Sequence, residues 1–163
     1  MATSRATRVL IKQLEDAMKD KTRGFRVYVD PSNVFRWFVL FTGLGGDLAG
    51  GEYIFRIIAP EDFPMSPPAV YAETPNGVFV PGDSICLSIG VYHANDAPGK
   101  DGAHGWRPAL GMAGFITNVM NSMIVHEGLH GVGIRVESPA VKRELAKSSR
   151  DFNAAAWSHL EFA

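Results

Sequence analysis

The apolar residues of this chain repeat with a helical period near both ends and with a strand period in the middle. Apolar side chains recur every three to four residues over 4–20 and again over 110–123, which predicts amphipathic helices. Apolar and polar residues alternate over 25–30 and 53–57, and residues 34–41 are almost all aromatic or aliphatic, which predicts strands. Strands segregated from helices in this way are typical of an α+β fold.

Glycines and prolines divide the remaining sequence. A glycine cluster at 43–51 predicts a hairpin connection, and the prolines of 60–68 delay the fourth strand until Ala69–Ala72. A last helix is predicted to begin at Ser138 and Pro139, as cap and first turn. Its expected inner face consists of Val141, Leu145, Ser148, Phe152, Ala155 and Leu160. The expected architecture is an N-terminal helix, a four-stranded antiparallel meander sheet, a long active-site loop and C-terminal helices, in one domain covering residues 1–163.

Composition excludes several classes of protein. The chain has 163 residues with 16 basic and 17 acidic side chains, which argues against a general nucleic-acid binder. It has no apolar run long enough to span a membrane. Its single cysteine, Cys86, excludes an internal disulfide and a cysteine-rich zinc site, and is typical of a reducing compartment such as the cytoplasm. We therefore expect no nucleic-acid partner and no membrane segment in this chain.

The near-neutral total conceals an uneven distribution of charge. Residues 1–26 hold seven basic and three acidic side chains, whereas residues 27–134 hold four basic and ten acidic ones. Arg5, Arg8 and Lys12 fall off the apolar stripe of the first predicted helix. A basic segment ahead of an acidic body can steer a partner, although a solvated helix face explains the same charges.

Two segments carry residues that could perform chemistry. Cys86 lies in a stretch of about 30 residues without periodicity, 74–107, which is too long for a plain connector in a compact domain. A thiolate there could attack carbonyls in acyl transfer. The alternative is that Cys86 is a small buried apolar residue.

The second segment matches the zinc-peptidase pattern H-E-x-x-H. It runs from His126 to His130, and on a helix two histidines four residues apart share a face and can bind zinc. Gly128, Gly131 and Gly133 disfavour a helix here. We therefore expect loop histidines and no metal, with a zinc peptidase kept as a remote alternative.

Several motifs occur together in one order. They are Trp37, Gly50-Gly51-x-Tyr53, Phe63-Pro64-Met65-Ser66-Pro67-Pro68, Thr74-Pro75-Asn76-Gly77, Ile85-Cys86-Leu87-Ser88-Ile89 and Trp106-Arg107-Pro108-Ala109-Leu110. In this order they resemble the ubiquitin-conjugating enzymes over about residues 4–160. Thr74 stands where most of that family has histidine, and Asn76 lies ten residues before Cys86; both features resemble the J subgroup of the endoplasmic reticulum.

Two features depart from that subgroup. The interval from Cys86 to Trp106 is longer and includes an extra piece at about 94–105. The subgroup's C-terminal membrane segment is absent from the given sequence, which ends at Ala163. The expected location is therefore the cytoplasm, or the cytosolic face of the endoplasmic reticulum if an anchor was removed.

The resemblance implies a mechanism and its residues. Cys86 would accept ubiquitin, or a ubiquitin-like protein, as a thioester from an activating enzyme, and a lysine or hydroxyl of a protein substrate would then attack it. Asn76 matches the family residue that donates a hydrogen bond to the oxyanion formed during transfer. A structural role in its own loop is an equally open alternative. His93 could act as a base or orient the nucleophile, or could be an exposed loop imidazole. No cofactor is implied.

The resemblance also implies partner surfaces. Arg5, Arg8 and Lys12 match the contact with the activating enzyme. Met65, Pro108 and Ala109 match the surface that RING-type ligases use. A second possibility is a non-catalytic ubiquitin-binding variant of the same fold, although such variants usually lack the cysteine.

Overall fold

Within the described residues, three helices and four strands form in the order that the sequence predicts, which confirms the α+β architecture. The structure is a computed structural model that describes residues 3–87, 89–90 and 105–163, so the expectations for His93 and for 94–104 lie outside the described residues. The elements are α1 (Arg5–Lys19), β1 (Arg26–Val29), β2 (Arg36–Phe41), β3 (Tyr53–Ile58), β4 (Ala69–Ala72), α2 (Gly111–Ile124) and α3 (Pro139–Ala156), with short 3-10 turns at Gly46–Leu48 and Pro108–Leu110.

The four strands form one antiparallel meander in the order β1-β2-β3-β4. Its register aligns Val27 with Val39, Val39 with Phe55, and Phe55 with Ala72. All four of these side chains are buried in the same cluster. Because side chains alternate between the two faces of a sheet, one face of every strand supplies this core.

Helices α1 and α2 complete the main core. Ser4 caps α1, as its hydroxyl accepts a hydrogen bond from the N–H of Thr7. Gln13 of α1 accepts one from the N–H of Met112 at 2.8 Å, which satisfies a donor in the first turn of α2. The buried residues of the two helices are Ala6, Leu10 and Ala17, and Gly111, Met112, Phe115, Ile116, Val119 and Met123.

The expected inner face of α3 is wrong. The buried residues are Lys142, Ala146, Ser149 and Asn153, which lie on an adjacent face, and α3 ends before Leu160 can join it. Val141 and Phe152 are 41% and 38% exposed. The prediction fails because α3 packs mainly through polar side chains, and hydrophobic periodicity cannot detect a face that is buried through hydrogen bonds.

The polar face of α3 binds the start of β3. The N–H of Glu52 donates to Ser149 Oγ at 2.9 Å, and Asn153 Nδ2 donates to the carbonyl of Glu52 at 2.8 Å. Thr74 Oγ1 donates to Asn153 Oδ1 at 2.6 Å. Because buried polar groups need partners, this network fixes which face of α3 is turned toward the sheet.

The residues after α3, 157–163, form a segment that we call the C-terminal strap. Trp157, Leu160 and Phe162 belong to a second apolar cluster, on the outer face of the sheet, with Phe38, Leu40 and Ile54. Ala163 exchanges two backbone hydrogen bonds with Val27, both 3.0 Å. In the part of the chain that the structure describes, no helix is long and apolar enough to cross a membrane.

The Gly-Gly-x-Tyr motif shapes the connection between β2 and β3. The ring of Tyr53 occupies the space that a side chain at residue 51 would need, so Gly51 permits the contact. Tyr53 Oη donates to the carbonyl of Leu48 at 3.0 Å, and burial raises the pKa of Tyr53 to about 12. This hydrogen bond fixes the 3-10 turn that carries Asp47.

Two adjacent serines of α3 test the polar interface. Ser149→Ala removes the acceptor of the Glu52 N–H, and we expect it to lower the free energy of unfolding by about 1–3 kcal/mol. Ser148→Ala is the matched control, because Ser148 is exposed and, in the part of the chain that the structure describes, its hydroxyl bonds within its own helix; we expect a change within about 0.5 kcal/mol. Chemical denaturation of both variants measures the difference, and equal losses would contradict this account of the helix.

Candidate active site around Cys86

Cys86 lies in an extended segment that is bonded on both sides. The N–H of Ile85 donates to the carbonyl of Val70 in β4 at 3.0 Å, whereas the N–H of Cys86 donates to the carbonyl of Val132 at 2.8 Å. Ile85 and Leu87 are buried and Cys86 is partly exposed. Because alternate side chains of an extended chain point in opposite directions, two buried anchors present the thiol toward the surface.

Val132 belongs to the α2–α3 loop, residues 125–138, which packs against the cysteine segment. A Cβ at residue 131 would lie 3.3 Å from Cys86 Sγ, and one at residue 133 would lie 2.5 Å from the carbonyl oxygen of Ser84. Gly133 also has a φ of +74°, which favours glycine. These glycines, which sequence reasoning treats only as helix breakers, let the loop approach the thiol.

The side chain of Asn76 is fully buried and organises its own loop. Its Oδ1 accepts from the N–H groups of Val78 and Phe79 at 2.9 and 2.8 Å. Its Nδ2 donates to the carbonyls of Thr74 and Phe79 at 2.9 and 3.2 Å. Both amide protons are therefore used within residues 74–79, an arrangement that favours the structural alternative for Asn76 in this state.

Thr74 connects that loop to the rest of the fold. Its fully buried hydroxyl accepts from the N–H of Ile54 at 2.9 Å and donates to Asn153 of α3. The carbonyl of the same residue accepts from Asn76. The Thr-Pro-Asn segment is thereby anchored to β3 and α3 at once, a contact that no local sequence signal predicts.

The segment His126–His130 lacks the helix that a zinc-peptidase site requires. Helix α2 ends at Ile124, and the two histidines lie in the α2–α3 loop. His126 Nε2 is 2.7 Å from the amine of Lys142, and His130 Nδ1 is 3.0 Å from the carbonyl of Gly128. The described residues contain no group of three or more histidine, cysteine or carboxylate side chains placed to hold a metal. The geometry therefore does not support the zinc-peptidase alternative.

The three cationic residues expected to meet an activating enzyme are exposed on α1. Lys12 pairs with Asp16 at 2.7 Å, and the guanidinium of Arg8 donates to the carbonyl of Thr3. Their exposure makes them accessible to a partner, and their role remains a prediction.

The expected ligase surface consists of two loops that are joined by Trp106. Met65 is 61% exposed, and Pro108 and Ala109 are exposed as well. Trp106 Nε1 donates to the carbonyl of Pro64 at 2.8 Å, and its ring packs against Phe63 with centroids 6.0 Å apart. The indole therefore fixes the loop of Met65 relative to the loop of Pro108 and Ala109.

Sequence comparisons place this fold among known proteins. The profile of the family described as "Ubiquitin-conjugating enzyme" matches residues 9–124. "Ubiquitin-conjugating enzyme E2 J1" of Homo sapiens is 31% identical over 150 residues, which are 91% of this chain and 44% of that protein. "Probable ubiquitin-conjugating enzyme E2 33" of Arabidopsis thaliana is 29% identical over 154 residues, 94% of this chain and 59% of that one. The chain thus spans about half the length of these relatives.

Solved structures share the architecture. A crystal structure of a ubiquitin-conjugating enzyme E2 from Plasmodium falciparum aligns with a TM-score of 0.55 at 28% identity, over 71% of this chain and 96% of that one. Human ubiquitin-conjugating enzyme E2 G1 aligns with a TM-score of 0.61 at 24% identity, over 76% and 98% respectively, and supports the fold.

Two glycines of the α2–α3 loop test its contact with the cysteine segment. Gly128 and Gly133 both have positive φ, but a Cβ meets nothing within 4 Å at residue 128 and meets Ser84 at residue 133. Gly128→Ala should cost about 1–2 kcal/mol of backbone strain. Gly133→Ala should cost more and should also speed modification of Cys86 by a thiol reagent, since the clash pushes the loop away. Equal modification rates in the two variants would contradict the contact.

Proposed function

Because the chain belongs to the ubiquitin-conjugating enzyme family, we propose that Cys86 carries ubiquitin, or a ubiquitin-like protein, as a thioester. The Cys86 thiolate attacks the thioester carbonyl on an activating enzyme, and the activating enzyme's thiolate leaves. The observation that carries the proposal is the partly exposed thiol held between buried Ile85 and Leu87, within the segment that matches the family motif.

The second step transfers the carried protein to a substrate. A lysine amine or a hydroxyl of a protein substrate attacks the thioester carbonyl, loses a proton, and displaces the Cys86 thiolate. This step needs a fixed thioester and stabilisation of the oxyanion that develops. The backbone bonds on both sides of residues 85–86 supply the first requirement.

Asn76 serves this reaction chiefly by holding the 74–79 loop in shape. Its four hydrogen bonds support that role, and donation to an oxyanion would require Nδ2 to release one of its two carbonyl acceptors. His93 is assigned to orienting or deprotonating the nucleophile on its sequence position.

Membership in the family supports an activating enzyme and a ligase as partners, and we assign their contacts by sequence position. Arg5, Arg8 and Lys12 form the contact with the activating enzyme, and Met65, Pro108 and Ala109 form the contact with a RING-type ligase. The site of action is the cytoplasm or, following the J-subgroup resemblance, the cytosolic face of the endoplasmic reticulum. Fractionation of cells expressing the tagged full-length protein tests this location.

The thioester is tested by incubating the protein with activating enzyme, ATP and ubiquitin. We expect an adduct that reductant removes, that is absent from Cys86→Ala, and that resists reductant in Cys86→Ser because an oxyester replaces the thioester. An adduct that persists in Cys86→Ala would refute the assignment. Binding of ubiquitin without any adduct, also with other ubiquitin-like proteins, would favour the non-catalytic variant.

The role of Asn76 is tested by comparing stability with transfer. Asn76→Ala leaves buried backbone groups unpaired, so we expect it to lower the free energy of unfolding by about 2–4 kcal/mol and to slow discharge of the thioester to free lysine. Asn33→Ala is the control, since Asn33 is an exposed turn residue whose side-chain oxygen accepts a hydrogen bond from the N–H of Phe35 at 3.2 Å. Slower discharge with unchanged stability would instead assign Asn76 to direct oxyanion donation.

A further inference from the structure

The buried amine of Lys142 has a defined direction of hydrogen bonding. Lys142 is 5% exposed, and its Nζ lies 2.7 Å from His126 Nε2. His126 Nδ1 lies 2.6 Å from the carbonyl oxygen of Met123, which can only accept, so Nδ1 carries the proton. A lysine ammonium can only donate, so its hydrogen bond to His126 is accepted by an unprotonated Nε2. Asp47 Oδ2 lies 3.9 Å from the same amine.

The stem of Lys142 contacts the loop that contains Asn76. A Cβ at residue 77 would lie 2.7 Å from Lys142 Cγ, so the glycine of the Thr-Pro-Asn-Gly motif leaves room for this side chain. Beside it, the N–H of Glu137 donates to the carbonyl of Gly77 at 2.8 Å. One side chain of α3 thus touches the 74–79 loop and binds the first part of the α2–α3 loop.

We propose that Lys142 is a positioning residue for thioester transfer, acting through its hydrogen bond to His126. The inference rests on the proposed function of Cys86. His126 lies near the start of the α2–α3 loop and Glu137 near its end, and between them Val132 accepts the hydrogen bond of the Cys86 N–H. The Lys142–His126 bond holds the start of that loop, and the Lys142 stem supports the contact at its end.

The Lys142–His126 bond requires an unprotonated Nε2. A second proton on the ring would place two cations against each other and remove the acceptor. Asp47, Glu127 and Glu137 line one cleft together with His126 and Lys142, and Asp47 also pairs with Arg143 at 2.7 Å. If the Lys142 ammonium leaves His126, these carboxylates can pair with it. None of these pairings replaces the hydrogen bond that connects α3 to the start of the α2–α3 loop.

The first test uses the protein before it carries ubiquitin. Lys142→Met keeps the apolar stem against Gly77 and removes the donor, and we expect the Cys86 amide to exchange with solvent roughly tenfold faster relative to the amides of β2 and β3. Lys147→Met is the matched control, since Lys147 lies exposed on the same helix and, among the described residues, pairs with Glu144. A uniform change in all amides would indicate a purely structural lysine and overturn the proposal.

The second test measures discharge of a preformed thioester to free lysine. Lys142→Met should slow discharge roughly tenfold while the fold stays intact, and His126→Leu should slow it by a similar factor. The double variant should be no slower than the slower single variant, because both remove the same bond. Independent, multiplying losses would overturn the proposal.

A conservative variant separates the pair from general destabilisation. His126→Gln retains an acceptor for Lys142 whereas His126→Leu does not, so discharge by His126→Gln should stay close to the wild-type rate. Equal losses in the Gln and Leu variants would contradict the acceptor role of His126. If the wild-type protein forms no thioester, the proposed function fails, while the amide-exchange test still decides whether Lys142 positions the Cys86 segment.

Discussion

The hydrogen bonds on the two sides of residues 85 and 86 set the geometry on which the candidate site depends. One joins Ile85 to Val70 in the sheet, and the next joins Cys86 to Val132 in the α2–α3 loop. The sheet alone would fix the direction of the segment but leave its other side open. The loop closes that side, and its own position depends on glycines that tolerate close approach and on the polar face of α3. The thiol is thus placed by contacts distant in sequence.

Local patterning is sufficient to predict the elements because their apolar residues either repeat with a helical or strand period or, in β2, form one continuous run. The strands around Val27 and Phe55 lie where the alternation predicts them, the strand around Val39 lies in the apolar run, and α1 and α2 lie where the helical period predicts them. The face of α3 could not be predicted in this way, since Ser149 and Asn153 are buried through hydrogen bonds to Glu52 and Thr74. Those partners are about 80–100 residues away in sequence, and no window along the helix contains them.

The candidate site likewise has some features that the local sequence predicts and others that it does not. Cys86 could be proposed from the sequence, because the motif around it occurs in an order with other motifs that resembles a known family. Tertiary contacts, in contrast, determine how Thr74 is anchored and why Lys142 is buried. They also determine that the side-chain amide of Asn76 is fully hydrogen-bonded. The segment His126–His130 shows the reverse case, in which a sequence pattern predicts a site that the fold does not form. Its residues match a metal-binding pattern, but its glycines favour a loop, and His126 is hydrogen-bonded to Lys142. A pattern of residue types carries chemistry only when the backbone presents them together.

The C-terminal strap and the cysteine segment both pair with outer strands of the sheet, which bears on aggregation in concentrated solution. The outermost strands of a sheet offer unpaired backbone groups, and such edges recruit other chains into aggregates. Here the backbone of Ala163 pairs with Val27 of β1. On β4, Ser84 forms a bridge with Tyr71, and the N–H of Ile85 donates to the carbonyl of Val70. The residues that place the thiol therefore also cover one edge of the sheet, so a change that loosens the cysteine segment would expose backbone on which intermolecular β-pairing begins.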